Sequence, residues 1–120
     1  MMIEIENKEY ELHFGWDFIE VLNKLNGVVV QGLEMNTGGL TKLVGQLDLG
    51  DPIAVRLAIQ AGTNTYASKP SKRGIEKFIE TLIENDEYDN FLEQLQAEFE
   101  KNVLTRIALD KEAKIAEQTE

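Results

Sequence analysis

Residues 2–27 read MIEIENKEYELHFGWDFIEVLNKLNG, and within this stretch the hydrophobic period changes once. Up to Phe14 apolar and polar residues alternate: Ile3 and Ile5 interleave with Glu4 and Glu6, and Tyr10, Leu12 and Phe14 with Glu9, Glu11 and His13. Alternation is the pattern of half-buried strands. A two-residue turn at Asn7-Lys8 predicts Ile5 across from Tyr10 and Ile3 across from Leu12, with Glu4 facing Glu11 and Glu6 facing Glu9. Facing carboxylates repel, so that side is expected to be wet or to meet something basic. A lone hairpin is marginal in water, so its apolar side needs a cover. From Gly15 the pattern becomes helical, with Phe18, Ile19, Leu22 and Leu25 on one stripe and a stop signal at Asn26-Gly27. Trp16 lies beside this stripe, at a position suited to packing the corner or to anchoring a partner.

Helices dominate the remainder. Residues 28–39 read as a loop with a short extended piece at Val28–Val30, and Leu40, Leu43, Val44 and Leu47 mark a short helix ended by Gly50. Asp51-Pro52 is a start signal, because Asp accepts from first-turn amides and Pro needs no donor there. The helix it opens carries Ile53, Ala54, Val55, Leu57, Ala58, Ile59 and Ala61, is apolar nearly all round, and should be central and buried. Ile75, Phe78, Ile79, Leu82 and Ile83 set the next stripe, capped by Ser71. After Asn85-Asp86, Tyr88, Phe91, Leu92, Leu95 and Phe99 define another, which Val103, Leu104 and Ile107 are expected to continue past Asn102. Residues 110–120 keep only Ala113, Ile115 and Ala116 as apolar and are expected to fray. The expected fold is mostly α (α+β): an N-terminal β-hairpin and a bundle of five to six helices, in one compact domain spanning residues 1–109.

Composition narrows the function. The 120 residues include no cysteine, which excludes disulfide scaffolds, thiolate metal sites and cysteine nucleophiles. No apolar run exceeds three residues, far short of the ~20 of a membrane span. Met1-Met2-Ile3-Glu4 has neither the basic nor the apolar region of a secretory signal, so a soluble cytoplasmic protein is expected. The formal net charge is −10, which repels nucleic acid and anionic lipid. Most of it lies in residues 76–100, where nine acids stand against Lys77 alone. That stretch reads either as a solvated helix face or as a docking face for a basic partner.

Catalytic constellations are missing. His13, the single histidine, sits on the Glu-rich side of the hairpin without an orienting partner. Gly38-Gly39-Leu40-Thr41-Lys42 lacks the order of a phosphate loop and reads as glycines at a helix start. Asp86-Glu87-Tyr88-Asp89-Asn90 puts Tyr88 and Phe91 where a calcium loop needs an oxygen ligand and a glycine. Glu76, Glu80 and Glu84 share a helix face but have no histidine to help hold a metal, and Lys69, Lys72 and Arg73 are too few for nucleic acid. No catalytic residue, cofactor or metal site is expected.

In order and spacing the chain resembles the tail assembly chaperone family of long-tailed, siphovirus-type bacteriophages and prophages of Gram-positive bacteria. The resemblance rests on the hairpin running into Leu12-x-Phe14-Gly15-x-x-Phe18-Ile19-x-x-Leu22-Asn23-Lys24, on Gly50-Asp51-Pro52 with Ala61-Gly62-Thr63, on Pro70-x-x-x-Gly74-Ile75-Glu76-x-Phe78-Ile79-Glu80, and on Lys101-Asn102-Val103-Leu104-Thr105. It covers roughly residues 1–106. One departure is Val103, where the family often has proline, so the last helix is expected to run on unbroken. The resemblance implies a non-catalytic protein of the bacterial host cytoplasm, absent from the mature virion. It would bind the tape measure protein while the tail tube protein polymerises, as the short product beside a longer frameshifted one.

Coating a long client fits a homo-oligomer whose weak contacts add through effective concentration. Leu109 falls off the stripe of Phe99, Val103 and Ile107, so Leu104, Ile107 and Leu109 are expected to leave an apolar strip for a partner or protomer, with Trp16 as a further anchor. The alternative is an acidic inhibitory or immunity-type protein that docks a basic partner one-to-one.

Overall fold

The structure is a computed structural model that describes residues 1–119, with side chains described as far as Ile115. An antiparallel hairpin, β1 (Met2–Ile5) and β2 (Lys8–Glu11), leads into six helices: α1 (Trp16–Asn26), α2 (Gly39–Asp48), α3 (Pro52–Gly62), α4 (Lys72–Glu84), α5 (Tyr88–Lys101) and α6 (Val103–Thr119). A second small hairpin, β3 (Val29–Val30) and β4 (Leu33–Glu34), stands between α1 and α2. The expected class, a hairpin followed by a helical bundle, is the class observed.

Alternation does place Ile3, Ile5, Tyr10, Leu12 and Phe14 on the buried side, but the register differs from expectation. Ile3 pairs with Tyr10, Glu4 with Glu9 and Ile5 with Lys8, two residues away from the register that a turn at Asn7-Lys8 would set. The turn is Glu6-Asn7, both in the left-handed region at φ 53° and 63°, as the twist of a two-residue hairpin loop demands. A shift of two keeps every side chain on its own face, which is why the burial pattern survives. Neither expected like-charge pair, Glu4–Glu11 or Glu6–Glu9, forms; Glu4 faces Glu9 instead, both exposed.

The cover for this hairpin comes from the far half of the chain. The Glu11 amide donates to the Tyr66 hydroxyl (2.7 Å), the His13 amide to the Gly62 carbonyl (2.9 Å), and Lys8 Nζ to the Ser68 carbonyl (3.2 Å). Ser71 caps α4 by accepting from the Gly74 amide (2.9 Å), and its hydroxyl donates to Glu6 Oε1 (2.9 Å). A Cβ on Gly74 would meet the Glu6 carboxylate, the free end of an exposed side chain that would have to swing aside.

α3 is the central element. Asp51 Oδ1 accepts from the Ile53 amide (2.9 Å), Pro52 opens the helix, and Ala54, Val55, Ala58 and Ile59 have no exposed surface. α1 packs on α2 and α3, α3 on α4, and α6 on α2 and α5. Phe14, Phe18 and Phe99 pack edge to face at 5.1–5.9 Å and join the hairpin, α1 and α5. Fully burying each such large apolar side chain contributes about 1.5–3 kcal/mol.

Three local expectations are corrected. In α1 the third buried position is Asn26, not Leu25, which is 56% exposed. Asn26 Nδ2 donates to the Gly39 carbonyl (3.1 Å) and to Gln46 Oε1 (2.9 Å), so a polar residue earns an interior place by tying α1 to α2. Gly38, at φ 71°, and Gly39 do open a helix, as expected, and a Cβ on Gly39 would strike the Leu22 carbonyl. Next, Ile83 is half exposed rather than part of the packed stripe of α4. Finally, the last helix does not run on from α5. Asn102 is extended at φ −91° and ψ 131°, its Nδ2 donates to the Glu98 carbonyl (2.9 Å), and its own carbonyl accepts from the Arg106 amide (3.0 Å). The buried Thr105 hydroxyl donates to the Phe99 carbonyl (2.6 Å) across the break. Asn is a favoured residue at such a boundary, and Val103 takes the first helical position, where proline would also fit.

Candidate functional site

Trp16 is the first residue of α1, and successive helical residues turn by about 100°, so it points about 200° away from Phe18. It is 71% exposed, which removes the corner-packing role. Together with His13, Gly15, Asp17, Ala61, Gly62 and Thr65 it borders a cleft of about 340 Å³ between the hairpin exit and the end of α3. His13 is exposed there and stacks on Tyr66 at 6.0 Å. No carboxylate partners it in the hydrogen bonds or ion pairs of the described residues, and the cleft offers surface rather than an acid–base pair.

α6 separates its apolar residues into two sets. Thr105 and Ala108 are buried against α2 and α5, and Leu109 packs half-buried on the core. Leu104 is half-buried as well. Val103 (75%), Ile107 (59%) and Ile115 (49%) are exposed. Of the residues singled out in sequence, then, Ile107 lies in the open on α6 and Trp16 on α1, while Leu104 and Leu109 flank the packed side. Val103, which the sequence pattern puts on the packed stripe, is instead 75% exposed. The break at Asn102 that re-aims it was the missing signal.

Further exposed apolar side chains gather on the second hairpin, where Val29, Val30, Leu33 and Met35 are each 45–65% exposed. Its turn, Gln31-Gly32, is left-handed at both residues (φ 52° and 80°). The Val-Val-Val run suggested the first strand, whereas Leu33–Glu34 gave no strand pattern of its own.

The acidic stretch divides by environment. Glu76 Oε2 accepts from Arg56 Nη1 (2.6 Å), while Glu80, Glu84, Asp86, Glu87, Asp89, Glu93 and Glu100 are exposed. Glu80, Glu84 and Glu87 follow one another along the outer side of the C-terminal half of α4 and its turn. Tyr88 opens α5 and donates to the Gly50 carbonyl (2.8 Å), and its hydroxyl pKa is raised by burial and then by Asp51 and Asp89. Among the described residues no three His, Asp or Glu side chains converge as a metal ion requires, and no helix is long and apolar enough to cross a membrane. What the surface offers chemically is contact: exposed large apolar groups, seven of them on helices, set in a negative field.

Comparison with known proteins gives one match. The family model described as phage tail assembly chaperone protein, TAC, matches residues 2–112. Neither the curated proteins nor the solved structures searched contain a match.

Proposed function

Because the chain belongs to the phage tail assembly chaperone family, we propose that it acts by binding, without catalysis, on the tape measure protein while the tail tube assembles. The observation that carries this reading is the family match over residues 2–112, which includes the hairpin, α1 to α5 and the packed part of α6. The exposed Trp16 and Ile107 support it, since Trp and aliphatic anchors contribute strongly at protein interfaces. In this reading Trp16 and Ile107 touch a partner or a second protomer, and Leu104 and Leu109 border the contact. Copies self-associate along the client, where many weak contacts add. The family resemblance alone supports the finer points: that this is the short product, that it works in the host cytoplasm beside the tail tube protein, and that the mature virion lacks it.

Co-expression with the tape measure protein of the same phage, followed by light scattering behind a sizing column, tests the reading. The two should co-elute as a complex larger than either alone. W16S/I107S should lose the complex while its circular dichroism stays that of the parent. Failure of the parent chain to retain the tape measure protein would overturn the proposal. We also propose that residues 1–109 form the compact unit and that 110–119 fray in an isolated copy; the end of the expected tail, Glu120, lies outside the described residues. Amide exchange of residues 110–119 should then be much faster than that of Thr105 and Ala108.

A further inference from the structure

α6 and α4 carry complementary outer faces within one chain. On α6, Val103, Arg106, Ile107, Asp110, Lys111, Lys114 and Ile115 are all exposed, and their spacing of three and four residues puts them on one side of the helix. Apolar groups thus alternate with three cations, and Asp110 is the one anion. On α4 the C-terminal half presents Glu80, Ile83 and Glu84, continued by Asp86 and Glu87 in the turn, all exposed. No cation interrupts this second set after Lys77. At 1.5 Å per residue the cations Arg106 to Lys114 span about 12 Å and the helical anions Glu80 to Glu84 about 6 Å, with Asp86 and Glu87 added by the turn beyond them, so the two sets are opposite in sign. Among the described residues no ion pair joins them within one copy, where α6 packs on α2 and α5 and α4 on α3, α5 and β1.

We propose that the outer stripe of α6 in one copy docks on the acidic end of α4 in the next. Val103, Ile107 and Ile115 would cover Ile83, and the charge rows would fix register and partner choice. The contact rests on the chaperone reading only in its purpose, since its geometry comes from these two helices. Its two halves are different surfaces, so it is heterologous, and a heterologous contact repeats into a ring or an open helix rather than closing a dimer. That is the assembly a long client needs. Docking would also order residues 110–115, which lie in the segment proposed to fray.

Sedimentation velocity over a range of concentrations tests the contact with two charge-reversed variants. R106E/K111E/K114E removes the stripe and E80K/E84K/E87K removes the acidic face; both alter exposed side chains only, and circular dichroism checks their fold. Each alone should associate at least about tenfold more weakly than the parent chain, because three rim pairs are lost and replaced by repulsion. Their equimolar mixture should assemble in alternating copies as the parent chain does, because the parent stripe of one variant meets the parent acidic face of the other and the two reversed faces are complementary as well. The chain carrying all six changes should regain the parent assembly. K24E/K42E/K69E, with the same change in net charge at other exposed positions, should associate as the parent does.

Reversals that leave association within twofold, a mixture that stays monomeric, or a parent chain that is monomeric at every concentration would each overturn the contact. A monomeric parent that still retains the tape measure protein would overturn this contact and leave the chaperone reading standing. Charge-patterned self-assembly with no capture of the tape measure protein would do the reverse. If the stripe reversal abolishes that capture and not self-association, the stripe serves the client and the proposal fails.

Discussion

The two hairpins of this chain have the same design and opposite fates. Each closes through two left-handed residues, Glu6-Asn7 in one and Gln31-Gly32 in the other, and each offers apolar side chains. In the first, Ile3, Ile5, Tyr10 and Leu12 are at most 6% exposed, while in the second Val29, Val30 and Leu33 are more than half exposed. The difference is not in the strands but in what lies over them. The first hairpin is met by the loop after α3 and by the start of α4, through four hydrogen bonds that reach forward 49 to 65 residues. Among the described residues nothing comparable reaches the second, which is secured at its base by Val28, Met35 and the backbone of Thr37. A hairpin's local signal therefore says that it turns, and only the rest of the chain says whether it is buried.

The sharpest way to break this comparison is to cut the same volume from both. Ile5→Ala should lower stability by about 2–5 kcal/mol, as cavities in packed cores do. Leu33→Ala should stay within about 0.5 kcal/mol. Midpoints of urea unfolding at unchanged slope give both values, and a large loss from Leu33→Ala would mean that the second hairpin is covered in the protein in solution.

Next comes the anchor beneath the second hairpin. Asn26→Ala leaves the Gly39 carbonyl and Gln46 without their donor and should cost about 1–3 kcal/mol. Amide exchange in residues 28–36 should accelerate while that in β1 and β2 stays at the global rate.

Tyr66→Phe removes the oxygen that accepts from the Glu11 amide and should cost about 1 kcal/mol, read by the same unfolding curves. It sharpens the comparison by loosening the clamp without touching the strands.

The smallest effect is a pH dependence that neither hairpin should carry. Burial, then Asp51 and Asp89, hold the Tyr88 hydroxyl above the usual tyrosine value of 10.0. A raised value in the folded state means that the neutral phenol is the stabilised form. Its contribution is complete below 10.0 and is lost as pH climbs through the raised value. Tyr88→Phe should therefore flatten the alkaline fall in stability, measured as melting temperature against pH.

How much of this was legible in the sequence follows from what each signal depends on. Burial of Ile3 to Phe14 was readable because parity alone decides the face, and a slip of two residues leaves parity intact. The register was not, because a turn at Glu6-Asn7 is favoured by a contact with Ser71 far down the chain. Asp51-Pro52 and Ser71 were readable as helix starts, since capping is a local matter of one side chain and one amide. Leu25 and Ile83 show the limit on helices: a stripe names the side that wants cover without saying how wide the cover is. For the surface residues, the extended Asn102 that turns Val103 outward depends on Thr105 and Glu98 as well as on its own identity.

The bond from Ser71 to Glu6 also bears on the order in which the molecule can be made. The hairpin is the first part of the domain to be synthesised, and the groups that hold it, Gly62, Tyr66, Ser68 and Ser71, come more than fifty positions later than the turn they secure. Because a two-stranded ribbon is not stable by itself, β1 and β2 must stay undocked on a growing chain until α3 and the start of α4 have followed. During that interval Ile3, Ile5 and Leu12 are open to any neighbouring nascent chain. The glutamates that alternate with them, Glu4, Glu6, Glu9 and Glu11, give that waiting segment a charge of like sign to its neighbours and keep it from pairing with another copy of itself.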